Sequence, residues 1–198
     1  MPTRLILIRH GQTRWNLKKR YLSFSDIGLN NKGIGQAKQL KVRLDKEKIY
    51  KVYSSDTRRA LNFARIAFRG FFVEKTPELR EMNFGIFEGL TYKQIMKNYP
   101  VIYKKWLNDP YSITIPEGEG LREFKERVAR ALKKIVALHR NKTVAVVCHG
   151  GVISSFLNHI IKSKNFWKRI PDSSSLSIVE YRDGKPKIKL FNDTTHLS

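Results

Sequence analysis

The stretch that decides the fold is LILIRHG, residues 5–11. Four successive apolar residues are typical of a strand that is buried on both faces, as in a parallel sheet covered by helices. The run then ends abruptly in a cation, an imidazole and a glycine. A second stretch, TVAVVCHGG at residues 143–151, has the same form. Two buried strands are therefore expected, each ending in His followed by Gly.

Strand patterns and helix patterns alternate along the rest of the chain. Strands are predicted over residues 51–53, 71–73, 143–148, 176–181 and 187–191, and helices over residues 33–48, 57–68, 91–108, 121–139 and 152–161. The last two strands flank Asp183-Gly184, a dipeptide typical of a hairpin turn. Such alternation predicts the α/β class, as a three-layer α/β/α sandwich whose mainly parallel central sheet carries an antiparallel addition.

Two local patterns add detail to these helices. The segment SSD at residues 54–56 offers good N-cap residues for the helix at 57–68. The helix at 33–48 is amphipathic, and its buried side is expected to carry Ala37, Leu40, Val42 and Leu44.

The length of 198 residues suits one domain, 1–198, and no linker-like segment divides it. Within it, residues 91–120 form a candidate cap-like insertion, broken by prolines and glycines. No apolar run approaches the roughly 18 residues that span a bilayer. The first residues lack the zones of a signal peptide, so a cytoplasmic location is expected. The lone cysteine, Cys148, excludes a disulfide within the chain.

The formal net charge is +22, from 39 basic and 17 acidic side chains. Such a charge invites a nucleic-acid interpretation. However, the basic residues are spread over the whole chain, with no basic tail and no Arg/Gly-rich segment. We therefore expect a solvated, lysine-rich surface rather than a nucleic-acid face, and a positive field that steers anionic substrates.

Functional groups are predicted to gather beyond the carboxyl ends of the strands, where ligands bind in open α/β sheets. His10 and His149 each follow a buried strand there. The helix after the strand at 51–53 brings Arg59, and its N-terminus favours phosphate. Together with Arg9, this set of imidazoles and guanidinium groups suits a phosphate dianion.

Each of these side chains alone has an ordinary structural explanation, and only their joint position favours a site. Cys148 is most simply a small core residue. His139 and His159 lie in helical patterns and are given no site role, whereas His196 is left open.

Several motifs, in this order, resemble those of the histidine phosphatase superfamily, the phosphoglycerate mutase-like enzymes. The segment at residues 7–16 is similar to the opening signature and the segment at 54–60 to the second motif. The loop at 79–89 and the segment at 148–153 are similar to the acidic loop and the final His motif. Residues 20–29 and 33–37, which lie between the first two of these motifs, also resemble the family, so that the resemblance covers almost the whole chain.

The resemblance implies roles at the matching positions. His10 would be the nucleophile that becomes a phosphohistidine, and Glu81 the general acid and then the general base. The phosphoryl oxygens would be held by Arg9, Arg59, His149 and Asn16. Arg59 is preferred to Arg58 because it precedes Ala60, as in the family pattern. No metal and no cofactor are implied.

The resemblance favours a metal-independent phosphomonoesterase acting on a phosphorylated small molecule. Its nearest branch in appearance is that of α-ribazole phosphatases and broad-specificity phosphatases, and a phosphoserine phosphatase or a sugar-phosphate phosphatase stays open. A cofactor-dependent phosphoglycerate mutase stays open, as does a non-catalytic phospho-ligand or nucleic-acid binder. Tyr92, Tyr99, Tyr103 and Trp106 either pack the cap or form an aromatic wall for a ring, and packing is preferred. A homodimer is left open, and neither a membrane nor nucleic acid is expected as a partner.

Overall fold

The protein is built around one sheet, which a computed structural model describes together with the rest of residues 1–163 and 165–198. The strands are β1 Thr3–Arg9, β2 Ile49–Ser54, β3 Val73–Lys75, β4 Thr143–Cys148, β5 Leu176–Arg182 and β6 Lys185–Asp193. The α-helices are α1 Arg14–Leu17, α2 Asn31–Leu44, α3 Arg58–Ala67, α4 Tyr92–Asn98, α5 Pro100–Asn108, α6 Leu121–Leu138 and α7 Gly150–Ile160.

The strand order is β3-β2-β4-β1-β5-β6. The pairs from β3 to β1 are parallel, whereas β5 runs antiparallel to β1 and forms a hairpin with β6. Asp183 and Gly184 have positive φ in the turn of that hairpin, as the dipeptide predicts. The mainly parallel sheet with its antiparallel addition is therefore confirmed.

The side chains of β1 explain why the sheet has a helical layer on each face. Leu5 and Leu7 point into one apolar core with residues of α6 and α7, and Ile6 and Ile8 point into a second core with residues of α2 and α3. All four side chains are at most 1% exposed. A strand alternates its side chains between faces, so a continuous apolar run has to be covered twice.

Two helix predictions need correction. The helix predicted over 33–48 runs instead from Asn31 to Leu44. Ala37, Leu40 and Leu44 are buried as predicted, whereas Val42 is 78% exposed. The segment 91–108 is two helices, because Pro100 has no N–H to continue α4 and disfavours helical backbone at Tyr99.

The strand predicted over 71–73 lies instead at Val73–Lys75. The prediction relied on the apolar character of Phe71 and Phe72, but these side chains are 45% and 78% exposed and precede the strand. The prediction of N-caps at 54–56 was also wrong: Thr57 is the N-cap of α3, and it makes no side-chain capping bond.

The aromatic residues of the segment 91–120 pack mainly inward. Tyr103 and Trp106 are 2% and 0% exposed, and the Tyr103 hydroxyl lies 2.7 Å from that of Tyr21. This supports packing over an aromatic wall, although Tyr92 is 56% exposed. Among the described residues, no helix is both long enough and apolar enough to cross a membrane.

Candidate active site

The site lies at the carboxyl ends of the parallel strands. His10 follows β1, and His149 follows β4 as the N-cap of α7. Because Arg9 and Cys148 are paired in the register of these strands, the two histidines leave the sheet side by side. Their ring centroids are 5.1 Å apart, with 67° between the ring planes.

Arg59, in the first turn of α3, bridges the two imidazoles. Its Nε donates to Nε2 of His10 at 3.3 Å, and its Nη2 lies 3.3 Å from Nδ1 of His149. The opposite side of the guanidinium donates to the carbonyls of Ser23 at 2.6 Å and Ser25 at 3.3 Å. Burial lowers the pKa of Arg59 to about 10, so the group stays charged at neutral pH.

His10 presents a lone pair to the site. Its Nδ1 lies 2.8 Å from the carbonyl oxygen of Gly11, which can only accept, so Nδ1 carries the proton. Nε2 is then unprotonated and faces Arg59. Burial, followed by the charges of Arg59 and Arg9, holds the pKa of His10 well below its usual value, so the ring is neutral.

His149 is held from behind by the turn that follows β2. Its Nε2 lies 2.9 Å from the hydroxyl of Ser55 and 3.4 Å from that of Thr57. Burial and the charge of Arg59 hold the pKa of His149 well below its usual value. Because Nη2 of Arg59 can only donate, Nδ1 of His149 accepts and the neutral ring carries its proton on Nε2, which donates to the hydroxyl of Ser55.

Glu81 is buried in the loop between β3 and α4, and it lines a cavity together with His10. Its carboxylate accepts from the backbone N–H of Met82 at 3.0 Å and of Gly151 at 2.8 Å. Burial raises the pKa of Glu81, against the opposing effects of these amides and of Arg9 and Arg59. A Cβ at position 151 would lie 2.3 Å from Oε1 of Glu81, so any side chain there would displace this carboxylate.

Two cations hold the loop that carries Glu81. Arg80 forms a two-pronged ion pair with Asp56, at 2.7 and 2.5 Å, which ties the loop to the turn after β2. Arg127 of α6 donates to the carbonyls of Glu78 at 2.7 Å and Arg80 at 3.0 Å. The loop has no strand pairing there, so these bonds set the position of the carboxyl.

Arg9 and Asn16 complete the set predicted from the sequence. Arg9 donates from Nη1 to the carbonyl of Pro171 at 2.5 Å, while its buried Nε has no hydrogen-bond partner among the described residues. The side-chain oxygen of Asn16 accepts from the backbone N–H of Thr13 at 3.1 Å in a capping box, so its amide nitrogen is the atom left to donate. Both residues line the same cavity.

That cavity has a volume of about 230 Å³. Its lining combines apolar, polar and basic residues, with Glu81 as the acidic group: Arg9, His10, Asn16, Lys19, Arg20, Tyr21, Leu22, Glu81, Phe84, Gly150, Gly151 and Ile170. Tyr99, Tyr103 and Trp106 do not line it. All six predicted site residues are thus brought together, since Arg59 and His149 contact each other and Arg59 contacts His10.

Arg58 lies outside this group. It is paired with Asp26 at 3.7 Å, and both side chains are largely exposed. The other histidines also lie elsewhere: Nε2 of His139 is 2.7 Å from the hydroxyl of Tyr53, and Nε2 of His196 is 3.4 Å from that of Ser174.

The sequence interpretation missed the residues that support the site. Ser55 contacts His149, and the carbonyls of Ser23 and Ser25 hold Arg59. Ser55 was taken for a helix cap, and a backbone carbonyl leaves no trace in a sequence. The described residues contain no cluster of three or more His, Cys, Asp or Glu side chains that could hold a metal.

A mainly parallel α/β sheet whose strand ends carry neutral imidazoles and buried cations is typical of enzymes that bind and transfer phosphate groups. Within that class, the chain belongs to the histidine phosphatase superfamily (branch 1), whose family model matches residues 5–194.

Relatives with stated activities support this placement. The chain is 32% identical to a metal-independent phosphoserine phosphatase of Arabidopsis thaliana, over 99% of this chain and 84% of that protein. The α-ribazole phosphatase from Shigella flexneri has a similar structure, with a TM-score of 0.87, 30% identity and 96% of each chain covered. A phosphoserine phosphatase variant from Entamoeba histolytica, in complex with phosphoserine, has a TM-score of 0.90 at 29% identity, over 99% of this chain and all of that one.

Proposed function

We propose that the protein hydrolyses phosphomonoesters of small molecules through a phosphohistidine at His10, without a metal. The observation that carries the proposal is the unprotonated Nε2 of His10, which faces the buried, charged guanidinium of Arg59. A phosphoryl group placed there meets a nucleophile and a compensating charge at once. Membership of the histidine phosphatase superfamily supports the same reaction.

In the first step, Nε2 of His10 attacks phosphorus, and the bond from phosphorus to the leaving oxygen breaks. Glu81 donates its proton to that oxygen, which its raised pKa favours. The carbonyl of Gly11, which accepts from Nδ1–H of His10, stabilises the positive charge that develops on the ring. Arg9 and Arg59 stabilise the equatorial oxygens, a task that metal ions perform in other phosphoryl-transfer enzymes.

In the second step, the Glu81 carboxylate takes a proton from water. The resulting oxygen attacks phosphorus, the bond from phosphorus to Nε2 of His10 breaks, and inorganic phosphate leaves. Glu81 is then protonated again for the next turnover. Splitting the transfer into two displacements makes each of them easier than a direct attack by water.

The proposal is tested by phosphate release from p-nitrophenyl phosphate in excess EDTA. The wild type and a His159→Ala control, altered at an exposed residue of α7, are expected to turn over equally, and His10→Ala is expected to be inactive. Radiolabelled phosphate trapped on the wild type should be acid-labile and absent from His10→Ala. Activity that persists in His10→Ala, or that needs added metal, would contradict the mechanism.

The leaving group is the finer part of the proposal. We place the substrate among small phosphomonoesters, because the cavity is only about 230 Å³ and relatives include both phosphoserine and α-ribazole phosphatases. A comparison of kcat/KM for phosphoserine and α-ribazole 5′-phosphate ranks the two. Interconversion of phosphoglycerates with little phosphate release would identify a mutase instead.

Two further points belong to this proposal. We place the enzyme in the cytoplasm, where a buried, reduced cysteine such as Cys148 is ordinary and phosphorylated metabolites are abundant. The oligomeric state stays open between a monomer and a homodimer, and the elution volume of the purified protein on a calibrated column decides it.

A further inference from the structure

Glu88 is a half-buried residue whose carboxylate has no role in the proposed mechanism. It follows a short 3₁₀ turn at Gly85–Phe87, seven positions after Glu81, and does not line the cavity. Its carboxylate instead accepts several hydrogen bonds from one short loop, residues 23–25, which we call the serine loop. This concentration of bonds on a loop without regular structure calls for a functional explanation.

The bonds to Glu88 cover most of the loop's donors. The backbone N–H of Ser23 lies 2.9 Å from each carboxylate oxygen, and that of Ser25 lies 3.1 Å from Oε1. The hydroxyl of Ser23 also donates to Oε2. Carboxylates that accept several amide hydrogens are among the stronger anchors available to a loop.

The same loop turns its carbonyl groups the other way, towards Arg59. The carbonyls of Ser23 and Ser25 accept from Nη2 and Nη1 of the guanidinium. Two such acceptors determine the plane of the group and leave Nε directed at Nε2 of His10. A guanidinium is planar and rigid, so a rotation of this plane would misdirect every N–H that faces the phosphoryl position.

Glu88 is itself held in place by the main chain around it. The N–H of Gly89 donates to the carbonyl of Tyr21 at 2.9 Å, and the N–H of Tyr21 donates to the carbonyl of Leu90 at 3.0 Å. Arg20 also donates to the carbonyl of Gly89. Glu88 therefore belongs to a segment that is hydrogen-bonded to Arg20 and Tyr21, just before the serine loop.

We propose that Glu88 is a positioning residue for phosphoryl transfer, which orients Arg59 through the serine loop. This inference rests on the role proposed above for Arg59. The negative charge of Glu88 also counteracts the burial that lowers the pKa of Arg59, which is a second, weaker contribution.

The test is Glu88→Gln, which has nearly the same shape but replaces one acceptor oxygen by an NH₂ group facing the loop's donors. Removal of one positioned charge-stabilising donor typically costs 10²–10³ in kcat, so we expect a misdirected one to cost roughly 10–100-fold. Inhibition by orthovanadate should weaken in parallel. The control Glu74→Gln makes the same change in an exposed ion pair with Lys51 and should leave kcat unchanged.

A double variant separates positioning from general damage. In an Arg59→Lys background the ammonium cannot bridge both loop carbonyls and the imidazoles, so adding Glu88→Gln should lower kcat by less than threefold. A full, multiplicative loss in that background would overturn the proposal, as would an unchanged kcat in Glu88→Gln alone.

A folding defect is handled by a second variant, Ser23→Ala, which removes no backbone group. It removes the hydroxyl bond to Glu88 and the bond at 3.3 Å that this hydroxyl accepts from the N–H of Phe84. It should lower kcat several-fold at an unchanged melting temperature, and full activity would count against the proposal. The two hypotheses fail separately. Activity in His10→Ala would contradict the proposed function. An inactive His10→Ala together with a fully active Glu88→Gln would contradict only the role of Glu88.

Discussion

At the scale of single residues, burial sets the protonation states on which the mechanism depends. It raises the pKa of Glu81 and lowers those of His10 and His149, so that an acid and two neutral bases share one small space. In water at neutral pH the carboxyl group would be almost wholly ionised. Burial therefore prepares both the nucleophile and the general acid, and the charge of Arg59 adds to its effect on the pKa of His10 while opposing it at Glu81.

Glu81→Gln tests the acid role. A glutamine keeps the size but cannot transfer a proton, and general acid–base groups typically contribute 10²–10⁴-fold. We expect kcat for phosphoserine, a poor leaving group, to fall by about that factor. With p-nitrophenyl phosphate the first turnover should fall much less, because its leaving group needs no proton, and a burst of p-nitrophenol should precede a slow phase.

Stopped-flow absorbance resolves this burst. The matched control is Glu78→Gln, an exposed carboxylate in the same loop, which should behave as the wild type. Equal losses on both substrates with no burst would show that Glu81 is not the acid of the first step.

At the scale of elements, the start of α2 is built against the loop that carries His10. Asn30 caps the helix by accepting from the N–H of Gly33 at 2.8 Å, and its own N–H donates to the carbonyl of Gln12 at 3.1 Å. Gln36 accepts from the N–H of Gln12 at 2.8 Å. The motif at residues 33–37 thus supports the nucleophile's loop.

Two glycines of α2 make a matched pair for this contact. A Cβ at Gly33 would lie 2.2 Å from the carbonyl oxygen of Gln12, whereas one at Gly35 would have no atom within 4 Å. We expect Gly35→Ala to stabilise the protein by roughly 0.5–1 kcal/mol, because alanine favours the helix. Gly33→Ala should destabilise it by roughly 1–3 kcal/mol and lower kcat, because it pushes the loop next to His10.

Urea unfolding curves and kcat on p-nitrophenyl phosphate measure both effects. The same sign of stability change in the two variants would show that α2 does not meet the loop as closely as described.

At the scale of the whole molecule, the buried histidines link stability to pH. Their folded-state pKa values lie below the ordinary value of 6.5, so each unfolded imidazole binds a proton that the folded one rejects. The stabilisation is fully present above pH 6.5 and is lost as the pH falls from there towards the folded pKa.

We therefore expect the free energy of unfolding to fall below pH 6.5, by up to about 1.4 kcal/mol per pH unit for each such histidine. Between pH 6.5 and 5, His149→Gln should make the free energy of unfolding fall less steeply with decreasing pH, by about the contribution of one histidine. His159→Gln, at an exposed position, should leave most of the slope unchanged. Urea titrations across this range give the slopes, and identical slopes in all three proteins would contradict the linkage.

Local patterns in the sequence predicted much of the fold and of the site. The apolar run before His10 marks a strand covered on both faces, and its repetition before His149 places the two imidazoles at one sheet edge. The motif likeness selected Arg59 over Arg58 and singled out Glu81 in an irregular loop. These predictions rest on spacing and on side-chain type, both of which a single chain displays directly.

Tertiary structure alone decided how these groups are prepared for chemistry. The tautomer of His10 depends on a backbone carbonyl, and the direction of Arg59 depends on the carbonyls of the serine loop and, through them, on Glu88. The exposure of Val42 and Phe72 likewise followed from packing, whereas the break at Pro100 is a local effect of proline that the sequence already displays. Backbone groups are identical at every position, so their placement becomes visible only when distant segments meet.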